Sequence, residues 1–179
     1  MQITITGTPG SGKTTLGKAL AKKFKLKFYS TGEIRRGIAK LFELNIDELN
    51  KLGEKHPFTD KCIDEIIKKM LKDNFVLDGR LGWWLFPKSV KILTLCNLDI
   101  AAERIFKAKR SSEKKYKNID EVKREIMQRM ASDEKRYKKY YKLKNIYDIK
   151  NYDIIIDTSY LSAKDMIKIC SECIRKLKR

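Results

Sequence analysis

Five short stretches alternate apolar with polar residues or run β-prone, at Gln2 to Thr6, Lys27 to Ser30, Asn74 to Asp78, Val90 to Leu95 and Asp153 to Asp157, and each predicts a strand. Between them the apolar period lengthens to three or four residues. Leu16, Leu20 and Phe24 share one helical face, and Met166, Cys170, Cys173 and Leu177 share another, preceded by Ser162 and Asp165 at capping-box spacing. Strands alternating with helices predict an α/β fold, three layers α/β/α around a five-stranded parallel sheet covered on both faces. Glu33 to Lys72 and Lys107 to Asn151 exceed plain connections and read as helical insertions. In the first, Cys62, Ile63, Ile66, Ile67 and Met70 form an apolar face, with Pro57 just ahead and Thr59 as the expected N-cap. The whole chain, residues 1–179, is expected to be one domain.

Ligands of such sheets bind beyond the carboxyl ends of the strands, and the polar clusters of this chain fall there. The first strand runs into Gly7-Thr8-Pro9-Gly10-Ser11-Gly12-Lys13-Thr14-Thr15, the pattern G-x-x-x-x-G-K-[ST] between a strand and a helix. Glycines at 7, 10 and 12 are expected to turn through positive φ and bring backbone N–H groups onto phosphate oxygens at the helix N-terminus. Lys13 then reaches the β- and γ-phosphates of a nucleoside triphosphate, and the Thr14 hydroxyl ligates Mg2+. The chain holds only 9 glycines, so three in register with Lys13 and Thr14 are not an incidental turn.

Asp78 closes the third strand, where it reads either as a second Mg2+ ligand or as a turn residue beside Gly79; the phosphate loop favours the metal. Arg80 follows and forks onto phosphate oxygens as a lysine cannot. Arg129, Asp133 and Arg136 lie along one helical face, which suits a nucleotide's phosphates and sugar, although taken alone the spacing favours an exposed salt-bridged helix. Arg104, Lys107 and Arg110 form a second cationic row after the fourth strand, placed to stabilise charge on a transferring phosphoryl group. Trp83 and Trp84 read as packing residues, and His56 as an exposed loop residue.

The charge balance, 41 Lys+Arg against 23 Asp+Glu and a net +18, attracts anions without naming one. Most of the excess is lysine on helices and reads as solvated surface. Tyr137, Tyr140 and Tyr141 interleave with Lys135, Lys138, Lys139 and Lys142, an arrangement able to track a nucleic-acid strand, yet no nucleic-acid module is recognisable and such a partner is not expected. Cys62, Cys96, Cys170 and Cys173 read as buried thiols of a reducing compartment. With neither a secretory leader nor a run of roughly 20 apolar residues, no membrane partner and a cytoplasmic location are expected.

Taken together these segments resemble the nucleoside monophosphate kinases, and most closely the archaeal type of cytidylate kinase. The likeness runs from the phosphate loop through Ser30-Thr31-Gly32-Glu33-Ile34-Arg35-Arg36, Asp78-Gly79-Arg80-Leu81 and Arg129/Asp133/Arg136 to Tyr152-Asp153-Ile154-Ile155-Ile156-Asp157-Thr158-Ser159. It implies transfer of the γ-phosphate of ATP to CMP or dCMP, with Mg2+, by a monomer built of a core, an acceptor-binding insertion at about 33–72 and a lid at about 107–136. By that likeness Thr31, Arg36 and Arg80 hold the acceptor's phosphate end, and Arg129, Asp133 and Arg136 meet its sugar and phosphate. Arg104 and Arg110 close over the triphosphate, and the loop after Asp157 lies near the adenine. Adenylate kinases carry a Gln a few residues after their Asp-Gly-Phe-Pro-Arg segment, which Leu81 to Trp84 lacks, and bacterial cytidylate kinases carry an Asp where this chain has Leu81. Cytosine must therefore be read by another group, within Glu33 to Lys72. UMP, AMP and shikimate remain alternative acceptors, and an RNA-binding ATPase remains another class. A GTPase is disfavoured by the lack of an Asn-Lys-x-Asp segment.

Overall fold

The β-prone start of the chain is buried on both faces, with Ile3, Thr4, Ile5 and Thr6 each at 0% exposure, which requires a strand in mid-sheet. A computed structural model, describing residues 1–108 and 116–177, places β1 (Gln2–Gly7) there. It is flanked by β3 (Phe75–Asp78) and β4 (Val90–Leu95), with β2 (Lys27–Ser30) and β5 (Ile154–Asp157) at the edges, all parallel in the order β2-β3-β1-β4-β5. The buried hydroxyls of β1 are paired, Thr4 with Ser89 at 2.8 Å and Thr6 donating to the Gly79 carbonyl at 3.1 Å, so their burial incurs no unsatisfied polar group.

Alternation along the strands sends side chains to two layers. Ile3, Ile5, Val76 and Ile92 meet Leu16 and Leu20 of α1 (Lys13–Phe24) and Met166, Cys170 and Ile174 of α8 (Ala163–Leu177). Phe75 and Leu77 face the other way, onto Ile63 and Ile67 of α4 (Phe58–Met70) and the flank of α2 (Thr31–Leu41). Each such aliphatic side chain, fully buried, contributes about 1.5–3 kcal/mol. Around the carboxyl edge stand α2, α3 (Ile46–Lys55) and α4 after β2, the short α5 (Gly82–Leu85) after β3, and α6 (Leu98–Ala108) with α7 (Ile119–Tyr141) after β4. Ala101, Ala102, Val122 and Ile126 join α6 to α7. No helix among the described residues is long and apolar enough to cross a membrane.

The expected strands and the Ser162/Asp165 cap are present, with Asp165 N–H donating to Ser162 Oγ at 3.1 Å. The insertion helix differs. Its N-cap is Pro57, Thr59 lies in the first turn, and its buried face is Thr59, Asp60, Ile63, Asp64 and Ile67, whereas Cys62 is exposed and Met70 is 53% exposed. Two carboxylates therefore occupy positions where the period of the sequence favoured a thiol and a methionine. On α8, Ile174 continues the turn set by Met166 and Cys170, and Leu177 is 54% exposed. The two tryptophans each pack against a tyrosine: Trp84 stands edge-on to Tyr141 at 5.2 Å, and Trp83 lies 5.9 Å from Tyr152.

Two glycines give opposite expectations. A Cβ on Gly7 would stand 2.1 Å from Thr94 Oγ1 and 2.2 Å from its carbonyl oxygen, whereas one on Gly37, inside α2, would meet nothing within 4 Å. Gly37→Ala should raise stability by about 0.5–1 kcal/mol and Gly7→Ala should lower it by about 3 kcal/mol or more, read from urea melts.

Candidate active site

Beyond β1 the backbone is held by its neighbours. Thr8 N–H donates to the Thr94 carbonyl at 3.2 Å, and the fully buried Ser11 hydroxyl contacts Thr94 Oγ1 at 2.8 Å and the Thr8 carbonyl at 2.8 Å. Gly10 and Gly12 take φ of 77° and 80°; Gly7 does not, and its need for no side chain comes from the approach of Thr94. Ser11 serves by side-chain anchorage, so a ligand meets the loop through its backbone. Lys13 at the start of α1 turns back to donate to the Thr8 carbonyl at 2.8 Å. Burial, reinforced by Arg80, pushes its ammonium down to about 7, so an anion at the helix N-terminus would be strongly favoured.

Strand register brings the next groups alongside. Asp78 lies opposite both Ile5 and Ser30, and its Oδ2 accepts from the Thr14 hydroxyl at 2.6 Å. This hydroxyl and carboxylate are the hard oxygen donors that suit Mg2+ shared with a phosphate. Arg80, one residue beyond Gly79, donates through Nη1 to the Gly7 carbonyl at 2.8 Å and through Nε to Asp133 at 2.8 Å. Asp133 also accepts from Arg136 at 2.5 Å, Arg136 donates to both oxygens of Asp60 at 2.6 and 2.8 Å, and Arg35 donates to Asp60 at 2.7 Å and to Asn50 at 3.0 Å. Burial alone would raise the Asp133 carboxyl, but Arg80 and Arg136 outweigh it and hold it below the usual range.

A cavity of about 350 Å³ runs along these groups, from Lys13 and Thr14 past Thr31, Arg36 and Arg80 to Asp60 and Asp64. Thr31, Arg36, Arg80, Arg104, Arg129, Asp133 and Arg136 all line it, as do Pro9, Gly10, Gly12 and Thr15 of the loop. Arg36 and Arg129 form no hydrogen bond or ion pair with another described residue, which leaves their charge to the cavity. Arg136 does not present the free cation that its spacing suggested: it is 2% exposed, and its Nη1 and Nη2 are both paired with carboxylates. Nor is the helix face an exposed salt-bridged one. Arg104 points at the loop after β5, its Nη2 donating to the carbonyls of Thr158 at 2.7 Å and Ser159 at 3.0 Å. Arg110 lies outside the described residues.

Asn50, Asp60 and Asp64 were not singled out from the sequence, although Asp60 and Asp64, spaced one turn apart around Ile63 and Ile67, fall on the core side of α4. The three tyrosines are committed elsewhere: Tyr137 is buried, Tyr140 donates to the Glu54 carbonyl at 2.8 Å, and Tyr141 donates to Asp64.

Comparison with known proteins agrees along nearly the whole chain. Residues 2–160 match the model of the cytidylate kinase-like family. The cytidylate kinase of Sulfolobus acidocaldarius is 36% identical over 173 residues, covering 94% of this chain and 91% of that protein. That of Methanocaldococcus jannaschii is 35% identical over 187 residues, covering 100% of both. Among solved structures, an uncharacterized protein from Eubacterium ventriosum superposes with a TM-score of 0.71 at 18% identity, covering 98% of each chain. Shikimate kinase from Bacteroides thetaiotaomicron superposes with a TM-score of 0.64 at 15% identity, also covering 98% of each. These structural likenesses concern the fold.

The carboxylate between two guanidiniums sets a stability test. Asp133→Ala leaves Arg80 and the buried Arg136 without that partner, and denaturant unfolding should show a loss of about 3–5 kcal/mol.

Proposed function

The chain belongs to the cytidylate kinase-like family, and on that premise we propose that it transfers the γ-phosphate of ATP to CMP or dCMP, giving ADP and CDP or dCDP. The observation that carries the reading is a single cavity with the phosphate loop at one end and two uncommitted guanidiniums, Arg36 and Arg129, on its wall. A kinase of this kind must bring a monophosphate dianion against a triphosphate. Their repulsion is the main obstacle, and fixed cations between them lower it in the ground state and more so in the transition state.

In this reading the backbone of Gly7 to Thr15 and the Lys13 ammonium hold the donor's β- and γ-phosphates. Thr14 and Asp78 hold Mg2+, which when bound neutralises charge on the donor phosphates. Thr31, Arg36 and Arg129 receive the acceptor's phosphate. Arg80, pinned between Gly7 and Asp133, stands where both phosphates are in reach, and Asp133 and Arg136 act behind it by fixing its orientation. Arg104 holds the Thr158–Ser159 loop that we assign to the donor's adenine. The acceptor oxygen attacks the γ-phosphorus as the bond to the β–γ bridging oxygen breaks. A phosphate with a second pKa of about 6 is already a dianion at neutral pH, so no side chain need remove a proton.

Residues about 33–72 are then the acceptor-binding part of one catalytic unit spanning 1–179, and about 107–136 the lid whose closure keeps water from the γ-phosphate. We place the reaction in the cytoplasm, with small nucleotides as partners and a monomer as the working unit.

Purified protein with MgATP should form ADP in dependence on CMP or dCMP within a panel that includes UMP, AMP, GMP and shikimate; equal ADP formation without an acceptor would defeat the proposal. Lys13→Ala should lower kcat/KM by about 10²–10³ or more. Arg129→Ala should instead raise the KM for CMP about tenfold while leaving that for ATP close to its original value, and an unaltered KM for CMP would remove Arg129 from the acceptor site.

A further inference from the structure

If phosphates occupy the cavity from Lys13 to Arg36, the acceptor's base must lie at the opposite end, walled by Asn50, Asp60, Ile63, Asp64, Leu85 and Tyr137. The ion pairs order that wall: Arg80 touches the phosphate loop, Asp133 and Arg136 follow, Asp60 is next, and Asp64 is one helical turn beyond Asp60. Leu81, directly after Arg80, packs with Tyr137 and Ile146 and has no polar group to offer a base.

Of the two carboxylates at this end, Asp60 is occupied. Its Oδ1 accepts from both Arg35 and Arg136, and its Oδ2 accepts from Arg136. Asp64 is not. Its Oδ2 accepts from the Tyr141 hydroxyl, whereas its Oδ1 makes no hydrogen bond with a described residue, and the side chain lines the cavity. Tyr141, wedged edge-on against Trp84, fixes how this carboxylate is turned.

Resting on the kinase reading above, we propose that Asp64 reads the nucleobase, its free Oδ1 accepting a hydrogen bond from the exocyclic amine of cytosine. Cytosine offers a donor at that position and uracil an acceptor. An ionised carboxylate only accepts, so uracil would set lone pair against lone pair where water is excluded, a mismatch that discriminates far more strongly than a difference in size. The environment supports this use. Burial lifts the Asp64 carboxyl to about 6, the Tyr141 hydrogen bond opposes that rise, Asp60 adds to it, and Lys68 on the same helix and Arg35 on α2 moderate it. At neutral pH the group is thus ionised but poorly solvated, and a donor from the ligand relieves it. Tyr141 is a positioning residue in this scheme.

The experiment compares kcat/KM for CMP, UMP and N4,N4-dimethyl-CMP, whose amine keeps no hydrogen, with MgATP saturating. The protein should prefer CMP over each of the other two by about 100-fold or more. Asp64→Asn, nearly isosteric, should cut the CMP:UMP ratio about tenfold or more, chiefly through the KM for CMP, with the KM for ATP unchanged. Turnover of dimethyl-CMP equal to that of CMP, or an unaltered ratio in Asp64→Asn, overturns the assignment while leaving the kinase intact. Should the variant fail to fold, turnover of dimethyl-CMP equal to that of CMP still overturns the assignment. Absence of any CMP- or dCMP-dependent ADP formation defeats the kinase reading itself, and this assignment with it.

Discussion

The buried run of alternating charges from Arg80 through Asp133, Arg136 and Asp60 to Arg35 is the constraint on which the site depends. It ties the end of β3 to α7, α4 and α2. Desolvating a guanidinium as deeply as Arg136 costs several kcal/mol, and only opposite charges on either side repay it. Such a chain contributes less to net stability than an apolar core of equal volume would. Its strength is geometric, because each carboxylate accepts from two guanidiniums and no member can turn without stranding its neighbours. With Arg80 also held on the Gly7 carbonyl, the helices around the acceptor end are placed relative to the phosphate loop by charge pairing.

The fold was largely legible because its signals are local. Strand alternation, the phosphate-loop spacing and the Ser162 cap each depend on neighbours within a few residues, and the structure has them at the expected positions. The acceptor end was less legible for the converse reason. Arg136 is matched by Asp60, 76 residues away, so its spacing from Arg129 and Asp133 marked a helix face without saying whether solvent or a carboxylate lay opposite. On α4 the inward positions carry Asp60 and Asp64, which a hydrophobic period counts as outward, and the reading rotated toward Cys62 and Met70. Arg104 is satisfied by the backbone carbonyls of Thr158 and Ser159, and a carbonyl leaves no mark in the sequence.

The net charge of +18 is a different matter from the charge that acts on the ligand. Lysines such as Lys22, Lys23 and Lys25 are exposed, where ions screen them within about 10 Å at 0.1 M salt. The cavity is set by far fewer groups. Its wall combines paired arginines, which supply orientation, with Arg36, Arg129 and Lys13, which make no ion pair with a described residue. A substrate responds mainly to the second set, because their charge is not already spent in an ion pair with a protein anion.

Two of the cavity's charges are held against their ordinary preference, and they have opposite sign. Lys13 is pushed down to about 7 by burial and Arg80, and Asp64 is lifted to about 6 chiefly by burial. Each destabilises the free protein, and in the proposed reading each would be relieved by a ligand group of the right kind, a phosphate at the loop and a hydrogen-bond donor at the far end, as expected where stability is exchanged for function. The pair also gives the cavity a direction. A nucleotide entering the wrong way round would set its phosphate beside the Asp64 carboxylate, which has no cationic partner among the described residues, and would leave the guanidiniums of Arg36 and Arg129 facing an uncharged base. Polarity along one cavity thus selects the orientation that phosphoryl transfer between two nucleotides requires, before any contact specific to the base is made.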